Sequence, residues 1–156
     1  MKMIKITRRS RGVSMALYAM FLAFVGVPLL GATVDVTRVW LKKAELANAV
    51  EAACSAYANT PDTGVFKSSG NAVLGAKAQG EGYRLFGYNM PTGGSLTNMS
   101  YDVEEESPTL KLIVATCSGS ATIRPIVLAG LVSFEVRKTV QVKAKFGTTA
   151  NWGEGG

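Results

Sequence analysis

The sequence contains no histidine, which removes the commonest general base and metal ligand together. It also has no glycine-flanked nucleophilic serine, no Ser-x-x-Lys and no glycine loop suited to cradling phosphate. Hydrolytic, acyl-transfer and nucleotide chemistry therefore have no residues to run on. We expect no enzyme activity, no catalytic residue, no cofactor, no metal and no small-molecule substrate. The one carboxylate cluster, Asp102 with Glu104, Glu105 and Glu106, lacks the glycine-assisted turn of a calcium loop and reads as a solvated strand end. Acidic residues are missing altogether before Asp35, and that absence organises the rest.

Five cations (Lys2, Lys5, Arg8, Arg9 and Arg11) precede Gly12, and Val13–Val34 carries no charge at all. At about 1.5 Å per residue such a run crosses a bilayer core of about 30 Å. The formal net charge of +6 comes mostly from this tail, since the remainder holds twelve Lys and Arg against eleven Asp and Glu. No basic face is left for a phosphate backbone, so a nucleic-acid partner is excluded. The tail instead marks a cytoplasmic N-terminus, with the C-terminal part outside. A cleaved signal peptide fits poorly, because the apolar run exceeds the usual h-region and Leu30 would occupy a small-residue position before a cut at Ala32.

No turn signal follows Val34. Val36, Trp40, Ala47, Val50, Cys54 and Tyr57 recur at helical spacings and predict an apolar stripe. Asp35 and Arg38, three apart, predict an ion pair on another face. Asn59-Thr60-Pro61-Asp62 ends the helix, because the residue before a proline is biased away from helical angles. Pro28, flanked by Gly26 and Gly31, makes the membrane half locally soft and open to close approach by a partner.

Residues 67–90 predict a weaker helical segment, with Ala72, Val73, Ala76, Tyr83 and Phe86 on one face. Pro91–Ser95 is a turn. The period then changes to two. Thr97, Met99, Tyr101 and Val103 form one alternating row, and Leu110, Leu112 and Val114 a second. Phe134 to Phe146 forms a third, long enough to suggest a bend or bulge. The apolar stretch Ile123–Phe134 predicts a short helix or loop. The fold class is α+β: a long N-terminal helix, half of it a membrane stalk, packed on a small antiparallel sheet. Its divisions are a basic tail (1–12), a transmembrane helix (13–34), a periplasmic continuation (35–58) and a small exported domain (59–156).

Cys54 lies on the helix stripe, whereas Cys117 falls out of phase with Leu110, Leu112 and Val114. Without a bulge the two thiols point apart, so a disulfide and two small buried apolar side chains both remain open.

The segment ATVDVTRVWLKKAELANAVEAACSAYA, after a basic RRSRG and a proline-containing span, resembles the TadE/TadG-like proteins of bacterial tight-adherence (Flp-type) pilus systems. Asp35, Arg38, Leu46, Asn48, Ala49, Glu51, Ala52 and Ala53 carry that resemblance, and IRPIVLAGLVSFEVRKTVQVKA carries a weaker one. It implies a structural or assembly component, minor-pilin or pseudopilin-like, working by helix packing. Its partners would be other pilin-like subunits, the inner-membrane assembly platform and the membrane. The implied interaction residues are Gly26, Pro28, Asp35, Arg38, Trp40 and Asn48. Gly12–Val13 would be the processing site, yet Leu17 occupies the position where processed members have glutamate. This departure points to an anchored single-pass protein of the inner membrane. Alternative readings are a tethered envelope-binding module, or a major pilin that ends up extracellular in a filament.

Overall fold

A computed structural model describes residues 9–90, 92–107, 110–126 and 133–147. Helix α1 (Arg9–Phe21) passes through one π turn (Leu22–Gly26) into α2 (Val27–Ala58). Then come α3 (Thr63–Ser69), α4 (Ala78–Asn89) and the strands β1 (Gly94–Ser107), β2 (Leu110–Ile123) and β3 (Phe134–Gly147). A long helix with a three-stranded antiparallel sheet is an α+β arrangement. The chain divides into two compact units. Of the described residues, the first unit holds 9–40 with 124–126, and the second holds the others.

In the second unit, Leu46, Ala49, Val50, Ala53, Cys54, Tyr57 and Ala58 form the buried stripe of α2. Their spacing of three and four is the helical period. The stripe packs on one face of β2, where Ile113, Ala115, Cys117 and Ala121 are buried with it. Gly119 belongs to this row and sets how closely the helix can lie. A Cβ added there would come within 2.7 Å of Val50 Cγ2 and 3.3 Å of the Ser95 carbonyl. Phe66 from α3 and Phe86 from α4 extend the same core. Tyr57 and Tyr101 meet edge to face, with ring centroids 6.2 Å apart. Burial, and then the neighbouring Tyr101, push the Tyr57 hydroxyl above the ordinary tyrosine range.

The predicted helical segment at 67–90 is two helices. Asp62 caps α3, its Oδ1 accepting from Gly64 N at 3.0 Å and Val65 N at 3.1 Å. Gly70, left-handed at φ 71°, ends α3 as its N–H donates to the Phe66 carbonyl. Ala72, Val73 and Ala76 therefore lie between helices rather than on a helix face. Here the chain is pinned by Asp62 N to Val73 O and Gly75 N to Thr60 O. Helix α4 then approaches α2 at Gly82, where a Cβ would stand 3.3 Å from the Ala53 carbonyl.

The sheet order is β1-β2-β3. Register between β2 and β3 is unbroken from Leu110↔Gly147 to Ile123↔Phe134. The bulge expected in β3 is thus absent there. The irregularities lie in β1, between Leu96 and Asn98 and between Glu105 and Ser107. The first of them gives Leu96, not Thr97, the place in line with Met99 and Tyr101. The phase expected for β2 is also reversed. Its row toward α2 is Ile113, Ala115, Cys117 and Gly119, while Leu112 lies on the opposite face beneath Glu104, Glu106, Lys143 and Lys145. A central strand has apolar residues on both faces, and the smaller row is the one that admits a helix. The predicted element at Ile123–Phe134 falls largely on residues 127–132, outside those described.

Reversing the phase of β2 brings the cysteines together. Cys54 and Cys117 form a disulfide with Cα atoms 5.5 Å apart, closing a separation of 63 residues. Loop-closure entropy for that length corresponds to about 4 kcal/mol. Replacing both cysteines with alanine should lower stability by about 2–4 kcal/mol in urea titration of the detergent-solubilised chain. An unchanged midpoint would contradict the constraint. Gly119→Ala should cost about 1–3 kcal/mol by overpacking. Gly87→Ala, in α4 with open space around its Cβ, should instead gain about 0.5–1 kcal/mol in the same assay.

Candidate functional site

The candidate site is the long helix, built from its apolar half outward. Gly12–Ala58 is the one helix among the described residues long and apolar enough to cross a membrane. Its large side chains face outward: Leu17, Tyr18, Phe21, Phe24, Leu29 and Leu30 are all exposed. Soluble domains seldom leave so continuous an apolar surface open. Lipid or another apolar helix is the environment that suits it.

Pro28 explains the π turn. It has no N–H to offer the Phe24 carbonyl, and its ring crowds the turn before it. The backbone widens there, and Val27 N–H donates back five residues to the Leu22 carbonyl. Gly26 closes this turn, half-buried, while Pro28 is exposed. Farther along, Thr33 Oγ1 donates to Leu30 O at 2.7 Å and Thr37 Oγ1 to Thr33 O at 2.9 Å. Both hydroxyls are thus satisfied within the helix, as an apolar setting demands.

Asp35, the first acid in the chain, is buried with 4% exposure. Its Oδ1 accepts from the Ile126 backbone N–H at 2.8 Å. The expected Asp35–Arg38 pair is not among the ion pairs of the described residues, and Arg38 is exposed. Three residues along a helix do bring two side chains near each other. A backbone N–H held at close range in a shielded position competes better than a solvated guanidinium. The predicted stripe is also shorter than expected. Val36 and Trp40 are 69% and 68% exposed, and the buried positions begin at Leu46. Asn48 is exposed as well. Of the six predicted interaction residues, Pro28, Arg38, Trp40 and Asn48 are thus open on the surface, Gly26 is half-open, and Asp35 is committed internally. Gly12 lies in α1, with Val13 exposed beside it.

The carboxylate cluster carries salt bridges. Glu104 pairs with Lys143 at 3.3 Å, Glu106 with Lys145 at 3.2 Å, and Glu105 with Lys111. Among the described residues no group of acids or cysteines is arranged to hold a metal. At the far end of β3, Arg137 grips Glu135 through two hydrogen bonds, of 3.0 and 3.1 Å, and holds that carboxyl below the usual range.

Three features escaped the sequence reading. The amide of Ile126 is backbone and 91 positions from Asp35, so no spacing rule reaches it. Leu46 does lie one helical turn before Val50 and was legible from the period. Gly119 offers only the general signal that a glycine within a strand marks a close approach.

No curated protein matches the chain, and no solved structure does. The Tad family model, Flp pilus-assembly TadE/G-like, matches residues 12–60. Those residues are the long helix and the turn that ends it. Over them the chain is similar to the TadE/G-like proteins of Flp pilus assembly.

Proposed function

We propose that this protein is a single-span structural component of a Tad-type pilus machine, a minor-pilin-like or pseudopilin-like subunit with no enzymatic role. The observation that carries the reading is the coincidence of the matched segment with the exposed apolar helix. The half before Asp35 is embedded in the inner membrane, the basic tail stays in the cytoplasm, and the sheet domain faces the periplasm. Helix packing is the mechanism. Outward-facing apolar side chains of α1 and early α2 meet lipid in the resting state and pilin-like helices or the assembly platform during pilus formation. Arg38 and Trp40, both exposed, supply polar and aromatic contacts just beyond the apolar run, the residue types that dominate interface energetics.

Changing Arg38→Ala together with Trp40→Ala should cut piliation severely, with normal protein levels and an unchanged melting temperature. Losing two such contacts costs about 2 kcal/mol of association, roughly a 30-fold loss of affinity. Wild-type pilus counts in that strain would refute the packing role. Intact mass of the chain from its native membrane should correspond to an uncleaved N-terminus. A mass lacking residues 1–12 would make it a processed filament subunit despite Leu17.

A further inference from the structure

The three-stranded sheet leaves two long edges, β1 and β3, and among the described residues no strand pairs with the outer side of either. Their charges are opposite. β1 carries Asp102, Glu104, Glu105 and Glu106 and no cation. β3 carries Arg137, Lys138, Lys143 and Lys145 against the single acid Glu135, which Arg137 already neutralises. The charges also stand at matching heights. Leu112 of β2 lies between Glu104 and Lys145, and Val114 lies between Asp102 and Lys143. All four of these charged side chains are on the sheet face away from α2, and all are exposed.

We infer that β3 of one copy pairs with β1 of a second copy, in parallel, extending the sheet from molecule to molecule. Because β1 and β3 each run antiparallel to β2, they run parallel to each other. A second copy displaced sideways therefore presents its β1 to β3 in parallel and at the same height. Its Asp102 and Glu104 then flank Lys143 and Lys145 directly, at the strand spacing of about 4.8 Å. Within one molecule Lys143 and Lys145 already reach across β2 to Glu104 and Glu106, at 3.3 and 3.2 Å, with side chains that span two strand spacings. The intermolecular pairing spans one strand spacing where these internal ion pairs span two. Two β1 edges together would align carboxylates with no cation from either strand, which disfavours the symmetric alternative. β3 is free of bulges along its length, and β1 runs in regular register from Asn98 to Glu105. Both edges therefore lack, over that stretch, the irregularity that usually protects a sheet edge. The contact uses two different surfaces, so it is heterologous and repeats without closing. It depends on the sheet alone and not on what the membrane helix packs against.

The test is charge exchange in the full chain in detergent micelles, followed by sedimentation velocity at low salt. One variant carries D102K and E104K, and the other K143E and K145E. Each alone should self-associate about tenfold more weakly than wild type, since its β1 and β3 edges then repel. Mixed, the two should recover association, because each edge now finds its opposite on the other chain. The chain with all four changes regains opposite signs between copies at both positions, so it should associate alone. It also decides the matter if either paired variant misfolds. Added salt should weaken every one of these complexes. A wild-type chain that stays monomeric, variants that associate as wild type does, or a mixture no tighter than its parts would each overturn the inference.

Discussion

The close approach of α2 to β2 is the constraint on which the second unit depends. It requires small side chains on both partners: Ala49 and Ala53 on the helix, Ala115, Gly119 and Ala121 on the strand. Small side chains bury little area, and a methylene-sized group contributes only about 0.8 kcal/mol. A few larger residues, Leu46, Val50 and Ile113, supply the volume. The Cys54–Cys117 bond lies in the middle of this seam. Against a typical total stability of 5–15 kcal/mol, a cross-link worth about 4 kcal/mol is a major part of what keeps a small core folded.

That bond also suits the location proposed for the unit. Disulfides persist in the periplasm and are rare in the reducing cytoplasm. In the proposed topology the basic tail and the covalent cross-link would lie on opposite sides of one membrane, in keeping with the positive-inside rule.

Most of the architecture was legible in the residues. The charge-free run and the three- and four-residue spacings gave the helix, and alternation located all three strands, β3 within a residue of its ends but β1 and β2 over only part of their length. What was not legible depended on contacts distant in sequence. The phase of β2 could not be read because Leu112 and Val114 look like core residues yet are covered by the side chains of neighbouring strands. The bulges fall in β1 because pairing, not strand length, decides where an extra residue is accommodated. Of the candidate site, the outward helix surface was foreseen. The inward turn of Asp35 was not, since its partner is a backbone amide from a remote segment.

The ion pairs on the open face of the sheet are exposed and individually weak, worth at most about 1 kcal/mol each. Their segregation, acids on one edge strand and lysines on the other, is a matter of arrangement more than of folding energy. The π turn has a different kind of consequence. One wider turn adds about one residue to the count, and each residue advances the helix by about 100°. Side chains before Leu22 and after Gly26 are therefore out of angular step with an uninterrupted helix. A neighbouring helix that follows one ridge of α1 is handed to a different ridge at Pro28, so this short segment fixes the rotational setting at which two such helices can lie together along their full length.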